Sequence, residues 1–251
     1  MGTLYLVRHG QASFGAQDYD NLSALGQQQS VRLGQYWRGK GLTFDAVLTG
    51  TLRRHAQTWA GICEGAGISN SPDVSTAGPP QGAKAPSGGS TAHAVASVGA
   101  PLLWPGLNEY DSAAVIAAIH PQPLAKPDTP ELYRQHFRLL RDGLTQWMNG
   151  VVSPQGMPTY PEFLAGVTSA LDHIRQNHAG NVLIVSSGGP IATAVGHVLG
   201  TTPETTIELN LRIRNSSVTE FAFNPKRHML LSYNTLPHLE HPDRASWVTY
   251  A

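Results

Sequence analysis

Cysteine is almost absent from this sequence, and so is any excess of charge. The 251 residues contain one cysteine, Cys63, which excludes an internal disulfide framework and favours a reducing compartment. Lys and Arg number 17, and so do Asp and Glu, so the formal net charge is zero. The bulk charge therefore predicts neither a nucleic acid nor a membrane surface as a partner, and any anion site is local.

Long apolar runs are missing too. No stretch approaches the roughly 20 apolar residues of a membrane span, and the first residues lack a basic segment followed by a signal-like apolar core. We therefore expect a cytoplasmic protein. The hydrophobic fraction of 41% is sufficient for a sizeable core without metals or disulfides.

What the sequence does contain is an alternation of strand and helix patterns. Residues 3–7 and 44–48 predict strands, and each is followed by a helical pattern. Ser23 is a suitable cap for the first helix, whose apolar side is expected to consist of Leu25, Val31, Leu33 and Trp37. Strands that alternate with helices favour a parallel sheet covered by helices.

The second half of the chain continues this pattern. The apolar run in 181–189 predicts a central strand covered on both faces, and Pro190 is predicted to be the first residue of the next helix. Two more helices and two late strands complete the prediction, at 131–148, 159–178, 217–222 and 229–233. The fold class that we expect is an α/β three-layer sandwich with a mostly parallel central sheet flanked by helices.

Residues 66–103 interrupt the alternation, because they are rich in Ser, Gly, Ala and Pro. We interpret them as a low-complexity insertion within a single domain, 1–251, and not as a linker. Together with 120–160 they are expected to form a cap over the site.

Three polar clusters follow predicted strands or begin the next helix. They are Arg8-His9-Gly10, Arg53-Arg54 and Ser186-Ser187-Gly188-Gly189. In open α/β sheets, ligands bind beyond the carboxyl ends of the strands, so these clusters are expected to converge.

Their chemistry suits a phosphoryl group. The arginine fork matches phosphate oxygens, and a Gly-Gly turn into a helix offers backbone N–H groups. Neutral imidazole is a nucleophile that forms a phosphoramidate with phosphorus, which makes His9 the candidate nucleophile. Glu109 is the candidate proton donor for the leaving oxygen, with Asp111 as a competitor for that role.

Five segments in this order resemble the histidine phosphatase superfamily, also called phosphoglycerate mutase-like. They read LVRHGQASFG, LSALGQQQ, TLRRHAQT, LNEYD and VLIVSSGGPI. The resemblance implies that His9 becomes phosphorylated, that Arg8 and Arg54 hold the phosphoryl oxygens, and that Glu109 acts as acid and then as base. It also implies a phosphoglycerate mutase-like fold that needs no metal or other cofactor, because arginines supply the positive charge.

The sequence departs from the family pattern in two places. Ser187 stands where the family usually has a second histidine, and Gly15 stands where mutase-like members often carry asparagine. Ser187 and Gly188 are still expected to contact phosphate, although the loss of one preorganised donor typically costs about 10²–10³ in rate. His55 and His238 are the two histidines that we consider as replacements.

The resulting prediction is a slow or specialised phosphoric monoester hydrolase of the histidine acid phosphatase type, acting on a small phosphorylated substrate. One alternative is a catalytically silent member that binds a phosphorylated ligand or protein. Others are a protein phosphatase and a phosphoglycerate mutase-type phosphotransferase, and a homodimer is left open. A serine nucleophile at Ser187 lacks the G-x-S-x-G elbow, and the His238/His241 pair lacks a third metal ligand.

Overall fold

Six strands of one sheet organise the part of the chain that the structure describes. The computed structural model describes residues 1–13, 20–68, 99–125 and 129–250. The strands are β1 (Gly2–Arg8), β2 (Ala46–Thr49), β3 (Leu102–Leu103), β4 (Asn181–Ser186), β5 (Val218–Asn224) and β6 (Arg227–Thr235).

Helices cover both faces of this sheet. They are α1 (Ala24–Gly39), α2 (Arg53–Ala66), α3 (Ser112–Ala117), α4 (Pro130–Met148), α5 (Tyr160–Asn177), α6 (Gly188–Leu199) and α7 (Pro203–Arg212). Two short 3₁₀ helices lie at Pro105–Leu107 and Pro242–Trp247. Within the described residues, no helix has the length and apolar character needed to cross a membrane.

The sheet is mixed, with the order β3-β2-β4-β1-β5-β6. The first four strands in this order are parallel, while β5 pairs antiparallel with both β1 and β6. The expected α/β sandwich is therefore confirmed, and the two late strands form its antiparallel edge. This order places the carboxyl ends of β1 and β4 side by side near the centre of the sheet.

Strand β4 shows why the core has two halves. Val182 and Ile184 pack with α4 to α7 on one face, and Leu183 and Val185 pack with α1 and α2 on the other. All four side chains are fully buried, and burying each one stabilises the fold by roughly 1.5–3 kcal/mol. The unbroken apolar run in the sequence is explained by this two-sided burial.

Three sequence-based expectations need correction. Helix α6 begins at Gly188 and not at Pro190, so Pro190 is its third residue. Proline is tolerated there because the N–H groups of a first helical turn have no partner inside the helix. Leu102–Leu103, assigned to the 66–103 insertion, forms the edge strand β3. Residues 69–98 of that insertion lie outside the described residues.

The third correction concerns the packing face of α1. Leu33 and Trp37 are buried as expected, but Leu25 and Val31 are only half-buried, and Gly26, Ser30 and Gly34 are buried as well. Small residues form this face because α1 and α2 approach closely. A methyl group at Gly34 would overlap the Ile62 carbonyl, and one at Gly65 would overlap the Val31 carbonyl.

Gly65→Ala is therefore expected to destabilise the protein by at least about 2 kcal/mol, because the two helix backbones must separate. The matched control is Gly39→Ala at the end of α1, where an added Cβ meets nothing within 4 Å. That change is expected to stabilise by about 0.5 kcal/mol, through helix propensity. Urea denaturation of both variants measures the difference, and equal free energies of unfolding would contradict the close approach.

Candidate active site

The carboxyl ends of β1 and β4 define the candidate site. The two strands pair in parallel with Arg8 opposite Ser186, and the His9 amide donates to the Ser186 carbonyl at 2.9 Å. His9 therefore leaves β1 at the level where Ser187 leaves β4 and leads into α6. The predicted meeting of these distant segments is observed.

The imidazole of His9 is buried and its tautomer follows from its partner. Nδ1 lies 2.7 Å from the carbonyl oxygen of Gly10, and because a carbonyl only accepts, Nδ1 carries the proton. Burial lowers the pKa of His9 well below its usual value, and the charges of Arg8, Arg54 and, less, His55 lower it further. The ring is neutral near pH 7, with its lone pair on Nε2.

The backbone around His9 is held by residues that the sequence analysis gave no role. The Gly10 amide donates to Thr58 Oγ1 at 3.1 Å, and the His9 carbonyl accepts from the Ser216 amide at 3.2 Å. A side chain at Gly10 would overlap the backbone of Gly26, so this turn requires glycine. Thr58 ends the TLRRHAQT segment, and that position was the available signal for it.

Two buried arginines lie beside His9. The Arg8 guanidinium donates to the Ile213 carbonyl at 2.5 Å, and Arg54 forms an ion pair with Asp20 at 3.0 Å. Arg53 is exposed, so Arg54 is the member of the Arg-Arg pair that turns into the protein, as predicted. Both buried arginines lower the pKa of His9, which places their charge close to its ring.

Glu109 reaches the same cluster from the loop before α3. Its two carboxylate oxygens accept from the Gly189 amide at 3.2 and 3.1 Å, at the N-terminus of α6. Burial raises the pKa of Glu109, partly offset by this hydrogen bond and by the charges of Arg54 and Arg8. A Cβ at residue 189 would overlap the Glu109 carboxylate and the Tyr110 ring, so a larger residue there would displace these side chains.

Asp111, the competitor for the acid role, has a structural task. Its carboxylate accepts from the Ala113 and Ala114 amides at 2.8 and 3.1 Å and caps α3. Asp111 follows Glu109 by only two residues, yet the Asp111 carboxylate caps a helix, whereas the Glu109 carboxylate lies at the strand ends. The structure thus brings Glu109, and not Asp111, to the N-terminus of α6 and close to the charges of Arg8 and Arg54.

Ser187 is fully buried and immediately precedes α6, and Gly188 is the first residue of that helix. The Ser187 hydroxyl does not cap α6. It lies 2.8 Å from Nε2 of His55, which is also fully buried. The His55 ring centroid is 5.8 Å from that of His9.

The two histidines considered as replacements are therefore placed differently. His55 contacts the Ser187 turn, whereas Nε2 of His238 lies 2.9 Å from Ser216 Oγ, and the Ser216 amide in turn donates to the His9 carbonyl. His241 is exposed and caps the second 3₁₀ helix. Gly15 lies outside the described residues, and among those described no three His, Cys, Asp or Glu side chains form a group that could hold a metal ion.

Cys63 lies on α2, in the part of the core between the sheet and the helices α1 and α2. Burial there raises the pKa of its thiol to about 12. The expectation that this cysteine packs in the core is confirmed.

Comparison with known proteins assigns the class. The sequence model of the histidine phosphatase superfamily (branch 1) matches residues 4–74 and 127–236, which is well over half of the chain. The protein belongs to this superfamily. Glu109 lies between the two matched ranges, so its place in the site comes from the tertiary structure alone.

The relatives that it resembles are mostly phosphatases. A broad-specificity phosphatase of Saccharomyces cerevisiae is 30% identical over 81 residues, which cover 30% of this chain and 35% of the yeast protein. The match thus spans about a third of that relative.

Solved structures support the same fold. A phosphoserine phosphatase from Entamoeba histolytica, in complex with 3-phosphoglyceric acid, has a TM-score of 0.60 at 19% identity and covers 95% of this chain and 100% of its own. Phosphoglycerate mutase from Bacillus anthracis has a TM-score of 0.60 at 17% identity, with 94% of each chain covered. At these identities the likeness establishes the phosphoglycerate mutase-like fold.

Proposed function

We propose that this protein is a phosphatase that hydrolyses small phosphomonoesters through a phosphohistidine intermediate on His9. The observation that carries the proposal is the meeting of a neutral, oriented imidazole, two buried guanidinium groups and a carboxyl group with a raised pKa beside the N-terminus of α6. A nucleophile, an anion site and a proton donor in one place are the parts that phosphoryl transfer requires.

In the first step, Nε2 of His9 attacks phosphorus and the bond from phosphorus to the ester oxygen breaks. The protonated Glu109 carboxyl gives its proton to that oxygen, and the alcohol leaves. In the second step a water molecule attacks the phosphorus, the P–N bond breaks, and the Glu109 carboxylate takes the proton of the water. Inorganic phosphate is released, and His9 and Glu109 return to their starting states.

The charge on the phosphoryl group is balanced by side chains of the chain itself. Arg8 and Arg54 each offer a planar fork of donors to its oxygens, and the hydroxyl of Ser187 and the amide of Gly188 supply neutral donors. This donor set uses no metal or cofactor. A cytoplasmic location fits the single, buried cysteine and stays a prediction, as do the oligomeric state and the cap role of 66–103 and 120–160.

Trapping of the intermediate tests this function. The protein is incubated with a panel of ³²P-labelled phosphomonoesters and quenched within milliseconds to seconds, and the label on the protein is mapped by peptide analysis. We expect label on His9 that is stable in alkali and lost in acid, together with continued release of phosphate.

A matched control is His197→Ala, because His197 is exposed at the far end of α6. It is expected to label like the wild type. Binding of phosphate without label or turnover would identify a silent binding protein instead, and transfer of the label to a second alcohol in preference to water would identify a mutase-type transferase.

A further inference from the structure

His55 and Ser187 form a buried pair that joins two of the helices at the site. His55 lies in the first turn of α2, Ser187 immediately precedes α6, and their Nε2 and Oγ atoms are 2.8 Å apart. The two residues are 132 positions apart in the chain, and both are fully buried. The proposed mechanism so far uses the serine and leaves the histidine without a task.

The environment of His55 favours a neutral ring. Burial and, to a lesser extent, the charge of Arg54 lower the pKa of His55 to about 3. Within the described residues, Nδ1 of His55 is buried without a hydrogen-bond partner, so we assign the proton of the neutral ring to Nε2, which donates to Ser187 Oγ. The hydroxyl proton of Ser187 is then directed elsewhere, because a hydroxyl that accepts from the ring keeps its own proton for a second partner.

The phosphoryl group needs such a donor at this place. Its transition state spreads charge over three equatorial oxygens, and Arg8 and Arg54 are the two cationic donors beside His9. At the N-terminus of α6, the Gly189 amide is already engaged by the Glu109 carboxylate. The groups left at this turn are the Gly188 amide and the Ser187 hydroxyl.

We propose, on the basis of the phosphatase function above, that His55 is a positioning residue for phosphoryl transfer. Its ring holds the Ser187 hydroxyl so that the hydroxyl donates to a phosphoryl oxygen, and the pair does together what one donor histidine at position 187 would do. His238 does not contact Ser187. Its partner is Ser216, whose amide donates to the His9 carbonyl.

The side-chain volume supports an exchange between the two positions. The double variant His55→Ala with Ser187→His keeps one imidazole and one small side chain at these two positions. It differs in composition from the wild type only by one hydroxyl oxygen. The His55 ring is in hydrogen-bond contact with Ser187, so its removal leaves a space directly beside residue 187. The double variant is therefore a test of function at nearly constant packing.

The experiment compares four variants with the wild type: His55→Leu, Ser187→Ala, the combination of these two, and His55→Ala with Ser187→His. We expect His55→Leu and Ser187→Ala each to lower kcat by about 10²-fold with little change in KM, as for the loss of one preorganised donor. The combination is expected to be no worse than either single variant, because the two residues act as a unit. The exchange variant is expected to recover at least tenfold over His55→Leu.

Two further measurements separate positioning from a structural role. Vanadate, a transition-state analogue, is expected to bind about 10²-fold more weakly to His55→Leu, whereas inorganic phosphate binds within about threefold of wild type. His55→Gln, whose amide nitrogen occupies the place of Nε2, is expected to restore vanadate binding. Thermal unfolding of each variant shows that these differences do not follow from stability.

The outcomes are distinguishable from those for the function itself. A wild type that never labels His9 would overturn both proposals. A labelled His9 combined with His55→Leu activity within threefold of wild type, with additive single effects, or with an exchange variant as slow as His55→Leu would overturn the role of His55 alone.

Discussion

Replacing His9 by Ala is expected to abolish the phosphoenzyme and to lower kcat by about 10⁴-fold or more, because the group that attacks phosphorus is gone. Phosphate binding is expected to persist with a dissociation constant within about tenfold of wild type. Arg8 and Arg54 are held by the Ile213 carbonyl and by Asp20, and neither contact involves the His9 ring.

The informative result is a large loss of turnover together with little loss of phosphate binding. Turnover is followed by phosphate release and binding by calorimetry with inorganic phosphate. His9→Asn is the matched variant, because its amide retains an N–H for the Gly10 carbonyl while lacking a nucleophile. It is expected to be as inactive as His9→Ala and more stable. If either variant keeps more than a tenth of wild-type kcat, His9 is not the nucleophile.

Replacing Glu109 by Gln is expected to have the second-largest effect, about 10²–10⁴-fold in kcat on alkyl phosphates. Such substrates have a strongly basic leaving oxygen, which needs the proton that the carboxyl group supplies. The amide oxygen of the new side chain still accepts from the Gly189 amide, so the geometry of the site is retained while the transferable proton is lost.

The leaving group then separates the acid from the base role of Glu109. With p-nitrophenyl phosphate, whose leaving group departs without a proton, the Glu109→Gln variant is expected to release a rapid burst of nitrophenolate. Slow hydrolysis of the phosphohistidine follows, because the base that activates water is missing. Asp111→Asn keeps the cap of α3 and is expected to stay within about twofold of wild type. An equal loss in the rate of phosphoenzyme formation on both substrate types would assign Glu109 a purely structural role.

The pH dependence of phosphoenzyme formation tests whether Glu109 acts as a proton donor. Because burial raises the pKa of Glu109, its protonated form persists to higher pH than that of an ordinary glutamic acid. The rate of phosphoenzyme formation on alkyl phosphates is expected to fall as pH rises through this pKa. The lowered pKa of His9 keeps the nucleophile neutral over the same range, so this falling limb belongs to Glu109 and is absent from Glu109→Gln.

The elements of the fold were predictable where a local pattern existed. The apolar run in 181–189 identified the central strand, and Ser23 was confirmed as the cap of α1, accepting from the Gly26 amide at 3.0 Å. Leu102–Leu103 could not be predicted as a strand, because two residues carry no periodicity and pair only with the neighbouring β2. The start of α6 was misplaced because proline is compatible with the third helical position as well as the first.

The candidate site was predictable in its chemistry and only in part in its geometry. Arg8, His9, Arg54 and Gly188 were singled out by residue type and by position after a strand, and they do come together. Thr58 and His55 lie in the TLRRHAQT segment, but their contacts with this cluster, like that of Ser216, are long-range and are not encoded by a local pattern. The contact between His55 and Ser187 joins residues 132 positions apart and depends on where α2 and α6 begin.

By itself the sequence determined the kind of chemistry available, since imidazole, guanidinium and carboxyl groups have fixed properties wherever they lie. It also determined which segments become buried strands and helices, since hydrophobic periodicity acts locally. The tertiary structure decided between His55 and His238, and it gave the preference for Glu109 over Asp111 and for Arg54 over Arg53, made from the family resemblance, a basis in burial and contacts. Each of these choices depends on burial and on a partner from a distant segment, and both arise only when the parallel strands β1 and β4 bring their carboxyl ends together.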